Sequence, residues 1–114
     1  MQEFHVPPDK SSGAFVKALR QLDGDWKTQL PEDAQIAIYV PLVGGGMIRV
    51  GYVAENGADI LYIQGRDEDG ETYVLLAHQA TIQFYCKVLK VTPEQPRRPI
   101  GFGPHPPAPP ELED

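Results

Sequence analysis

The stretch Gln35-Ile36-Ala37-Ile38-Tyr39-Val40-Pro41-Leu42-Val43-Gly44-Gly45-Gly46-Met47-Ile48-Arg49-Val50-Gly51 sets the fold. Ile36, Ile38, Val40 and Leu42 alternate with Gln35, Ala37, Tyr39 and Pro41, the period of a strand with one side inward. The glycine triplet 44–46 makes a turn. Residues 47–54 form a second strand, and Gly51 inside it marks a bend or bulge. Downstream, Asn56-Gly57 is a hairpin signal whose two turn residues both take positive φ. Residues 59–64 read as a third strand, 65–70 as an acidic turn, 72–77 as a fourth strand and 77–80 as a short connection. Residues 81–91 read as a fifth, with Ile82, Phe84, Cys86 and Val88 on one face.

Upstream, residues 11–24 read as one helix. Phe15, Ala18, Leu19 and Leu22 fall at i, i+3, i+4 and i+7. Ser11 or Ser12 caps its start and Gly24 suits the residue past its end. Trp26 then lies in a connector. The expected fold is therefore mainly β: an N-terminal helix followed by five short, strongly bent antiparallel strands that curl into a small SH3-like barrel.

The chain has 114 residues, a length that suits one domain. No apolar run approaches the roughly 20 residues of a membrane-spanning helix. A single cysteine excludes a disulfide scaffold. With no basic-then-apolar leader over residues 1–8, the expected compartment is the reducing cytoplasm. The net charge is −6 and the isoelectric point about 4.9, which argues against a strongly basic nucleic-acid binder. Residues 31–92 hold four cations (Arg49, Arg66, Lys87, Lys90) against eight acidic side chains, so a phosphate backbone meets repulsion unless those cations share a face.

Eight of the twelve prolines fall between Pro93 and Pro110. Proline at that density favours polyproline II and donates no ladder hydrogen bond. The chain thus divides into an arm over residues 1–10, a helix-plus-barrel domain over 11–92, and an extended, acidic, proline-rich tail over 93–114 that is dispensable for folding. Pro96-Arg97-Arg98-Pro99, Pro104-His105-Pro106-Pro107 and Pro107-Ala108-Pro109-Pro110 fit the P-x-x-P pattern by which a tail engages a protein partner.

No residue set carries catalytic spacing. Cys86 falls on the apolar face of its strand, as a buried inert thiol does. Asp67-Glu68-Asp69-Gly70-Glu71 lacks the alternation and distant glutamate of a calcium loop and reads as a solvated acidic hairpin. His5 and His105 are isolated between prolines. Neither a cofactor, a metal nor an enzymatic activity is expected. Two readings of the surface remain. His78 and Gln79 can stack on and read a base, with Asn56 as a further base contact, although a polar turn and a hairpin turn explain the same residues. Trp26, Tyr39 and Tyr85 can anchor a protein partner, although packing beneath the helix explains them equally.

A helix followed by five bent strands, with glycine in the second, resembles the Sm-like fold of Sm and LSm proteins and bacterial Hfq. The resemblance covers about residues 34–91. Val40 to Gly51 is similar to that family's first strand, turn and bent second strand, and Ile60-Leu61-Tyr62-Ile63 to its apolar third. Leu76-Ala77-His78-Gln79-Ala80-Thr81-Ile82 resembles the turn between its fourth and fifth strands. The family reads uracil with an Asp and a following Asn in the second-to-third strand loop. Glu55-Asn56-Gly57-Ala58-Asp59 is shorter there and reverses their order, and Ala77-His78 replaces a cation-bearing turn. The resemblance implies a homo-oligomer joined head to tail through the fourth and fifth strands. The first functional expectation is accordingly a non-catalytic, oligomeric interaction and assembly module. The alternative is an RNA-binding ring that uses Asn56, His78 and Gln79.

Overall fold

The structure, a computed structural model, describes residues 12–103. The chain is mainly β, with one N-terminal helix. Helix α1 spans Ser12–Gln29. The strands among the described residues are β1 (Ala34–Pro41), β2 (Met47–Glu55), β3 (Ile60–Arg66), β4 (Thr72–His78), β5 (Tyr85–Lys90) and β6 (Gly101–Gly103). No helix among these residues is long and apolar enough to cross a membrane.

The helix runs past its expected end. Gly24 lies inside it, exposed, with open space where a Cβ would stand. The stop comes at Leu30-Pro31, because proline disfavours helical backbone in the residue before it. Trp26 is therefore helical and packs half-buried against the core. The buried stripe runs through Val16, Leu19 and Asp23, one residue off the expected centre. Burying Val16 and Leu19 contributes about 1.5–3 kcal/mol each, which a short helix needs to persist.

The strands follow the order β4-β3-β2-β1-β5. Each neighbouring pair on that path is antiparallel. The inward side chains Ile36, Ile38, Val40, Ile48, Val50, Val53, Leu61 and Ile63 form one buried core with Val16 and Leu19. The turn after β1 uses Gly44, Gly45 and Gly46 at φ of 95°, 112° and 84°, a run of left-handed residues that side chains resist. Register slips between Val50 and Tyr52, so Gly51 is the bulge that bends β2. Opposite it, a Cβ on Gly65 would stand 2.3 Å from the Arg49 carbonyl oxygen, so only glycine lets the bent strand press down on β3.

Several boundaries differ from expectation. In the 56–59 loop only Gly57 takes positive φ, and Asn56 N–H donates to the Ile60 carbonyl at 2.9 Å. The loop is longer than two residues, so one left-handed position suffices. The fifth strand begins at Tyr85 because a 3-10 turn occupies Gln79–Thr81.

Residues 93–103 are the largest departure. Expected as extended tail, they pack on the fold. Strand β6 pairs in parallel with Tyr52–Ala54 of β2, and Ile100 and Phe102 pack against the core. There is room because β1 and β2 pair only over Tyr39–Pro41 and Met47–Arg49, then part. Gln35, buried at 4% exposure, bridges the gap. Its Nε2 donates to the carbonyls of Gln95 and Pro96 at 3.1 and 3.2 Å. Its Oε1 accepts from Arg49 Nη2 and from the Arg98 N–H, both at 3.1 Å. A carboxamide has two donors and an acceptor with two lone pairs, and all are used. Residues 104–114, with the second and third proline motifs, lie outside the described residues.

Two substitutions test this construction in urea denaturation. Gly24→Ala is expected to stabilise the protein by about 0.5–1 kcal/mol, since alanine is the better helix residue and nothing crowds it. Gln35→Met keeps the volume but orphans buried polar groups, and is expected to cost about 2–4 kcal/mol.

Candidate functional site

Strands β4 and β5 end the five-strand path, and the sheet is not closed between them. Along β4 every second residue is exposed: Thr72, Val74, Leu76 and His78 point away from the core, while Tyr73 and Leu75 pack against it. Val74 and Leu76 are 44% and 61% exposed. On β5, Tyr85 and Val88 are 45% and 50% exposed. Among the described residues the remaining exposed large hydrophobic, Val43, sits at the tip of the glycine turn. Thus apolar surface concentrates on the two strands whose outer backbone groups lack a neighbour in the sheet. Such edges pair readily with another chain. The continuous run Tyr73-Val74-Leu75-Leu76-Ala77 was the sequence signal: five apolar residues in a row describe a strand with both faces covered.

The residues singled out for RNA come to one end of the sheet. Ile60 pairs with His78, and the Gln79 N–H donates to the Asp59 carbonyl at 2.9 Å, so the 56–59 loop lies beside the 3-10 turn. His78 caps that turn: its Nδ1 accepts from the Ala80 N–H at 3.1 Å, and its carbonyl accepts from Thr81 Oγ1 at 2.9 Å. Residues 55–60 and 78–84 include Glu55 and Asp59 but neither lysine nor arginine.

Of the three aromatic candidates, Tyr39 and Tyr85 are direct cross-strand neighbours on the outer face. Lys87 Nζ lies 5.4 Å from the centre of the Tyr39 ring, a cation–π contact. Tyr85 donates its hydroxyl to Gln83 Oε1 at 3.1 Å. Trp26 is apart from both, on the last turns of α1.

Cys86 is half-buried and packs against the core. Burial, then the charge of Asp23, pushes its thiol above the ordinary cysteine value, opposite to the shift that activates a nucleophile. In the 67–71 turn, Asp67 Oδ1 accepts from the N–H groups of Asp69 and Glu71 at 3.0 and 2.9 Å, so its carboxylate organises the hairpin. A groove of about 370 Å³ lies between the end of α1 and the returning segment, lined by Lys27, Leu30, Ile36, Arg97 and Ile100 among others. Asp23 in its wall already pairs with Lys27 at 2.8 Å, and Arg97 donates to the Glu32 carbonyl.

No family model, curated protein or solved structure matches this chain.

Proposed function

We propose that this chain is a non-catalytic assembly module: an open SH3-like, Sm-like barrel whose β4 pairs with β5 of the next copy. One observation carries the reading. Among the described residues, and apart from Val43, the exposed large hydrophobics lie on β4 and β5, the two ends of the strand path. Pairing them satisfies the open ladder groups and covers Val74, Leu76 and Tyr85 on the outer face of the sheet and Val88 on the opposite one. Because the two edges differ, the contact is head to tail, and it closes into a ring where the rotation between copies permits. Tyr85 serves as an aromatic anchor at the joint. The proline motifs over residues 104–110 supply a further segment for a protein partner.

The RNA-binding ring reading uses the same assembly with Asn56, His78 and Gln79 facing the nucleic acid. It needs cations at that end, and the 55–60 loop brings Glu55 and Asp59 instead.

Sedimentation with circular dichroism tests the assembly. The full chain is expected to sediment as an oligomer at tens of micromolar. Leu76→Glu and Val88→Glu place a charge on an exposed edge position, where the folding cost is about 0.5 kcal/mol or less. Each variant is expected to keep the wild-type dichroism and to sediment as a monomer. A monomeric wild type at that concentration would refute the proposal.

A further inference from the structure

The outer face of the sheet gathers positive charge in an acidic chain. One register row crosses five strands as Thr72, Arg66, Arg49, Tyr39 and Tyr85. Lys87 comes from β5 to lie over Tyr39. Arg98 arrives on the returning segment. Its N–H and the Arg49 guanidinium meet at the same atom, Gln35 Oε1. The sequence holds sixteen acidic side chains for ten cations. Yet among the described residues neither Arg49 nor Arg98 has a carboxylate partner, whereas Lys27 pairs with Asp23. Burial lowers the Arg49 pKa from its ordinary value; nearby Tyr39 acts to raise it, and the Arg98 charge lowers it further. An anion seated beside these two cations, which meet at Gln35 Oε1 through the Arg49 guanidinium and the Arg98 N–H, would relieve that repulsion.

We propose that Arg49 and Arg98, flanked by Tyr39 and Lys87, form a docking site for an acidic, extended peptide segment of a partner protein. The site goes beyond self-assembly: Arg49 lies on the inner strand β2 and Arg98 on the returning segment, neither of them on β4 or β5. The planar guanidinium fork matches a carboxylate bidentately. The Tyr39 ring offers a flat apolar surface to the stems between carboxylates. The match is local, which suits a short peptide. A long polyphosphate would also meet the four-to-eight excess of acid over residues 31–92.

Fluorescence anisotropy with a labelled poly-glutamate peptide and the full chain tests this. A poly-lysine peptide and a single-stranded oligothymidylate serve as comparison probes. Saturable binding of poly-glutamate is expected, weakening as salt shortens the Debye length below about 10 Å. Arg49→Gln combined with Arg98→Gln is expected to weaken it about tenfold or more. Arg98→Gln alone leaves the backbone bond to Gln35 intact and is expected to show part of the loss with unchanged thermal stability. Arg20→Gln, on the exposed face of α1, is expected to change nothing. Absence of saturable binding, indifference to both arginine substitutions, or tighter binding of oligothymidylate than of poly-glutamate would each overturn the proposal. Monomer formation by the edge variants is read separately by sedimentation, so failure of one reading is distinguishable from failure of the other.

Discussion

The carboxamide of Gln35 is the contact on which the arrangement turns. Strands β1 and β2 share only a short ladder before they part, and a strand that leaves its partner exposes backbone groups and core. The chain repairs the gap with its own later residues. Gln35 binds the 95–98 segment through both ends of its amide, and the segment then delivers Phe102 to the core and β6 to the free half of β2. A buried polar side chain of this kind stabilises only because every donor and acceptor is matched. Closing the internal gap leaves β4 and β5 as the places where a second chain can add.

Much of this fold is written locally. The alternation in β1, the glycine triplet and the Gly51 bulge are short-range features, and the structure has each where the sequence puts it. The helix end differs from the local signal for a definable reason. Gly24 looks like a stop, but Trp26 finds core contacts and the helix continues to Gln29, two residues before Pro31. The docked segment was hidden more deeply. Gly101-Phe102-Gly103 is too short to show a period and sits among prolines, while its partner lies about fifty residues earlier in β2. Parallel pairing over such a distance has no local signature.

The surface shows the same division. Topology alone brings Asn56, His78 and Gln79 together, and the short connection expected over residues 77–80 is a 3-10 turn that His78 caps. The cations of residues 31–92 looked scattered along the chain. Register collects Arg66 and Arg49 in one row with Tyr39, and Lys87 beside it, which no count of charges reveals. The apolar run of β4 was legible as a strand. That its second face lacks a cover in the single chain required knowing where β4 lies in the sheet.

Amide hydrogen exchange measured across a dilution series reads the open edges directly. If β4 and β5 join copies, the outward amides of residues 72–78 and 85–90 gain protection as concentration rises, while those of β2 and β3 keep theirs unchanged. Exchange on β4 and β5 that stays fast and independent of concentration would contradict the account.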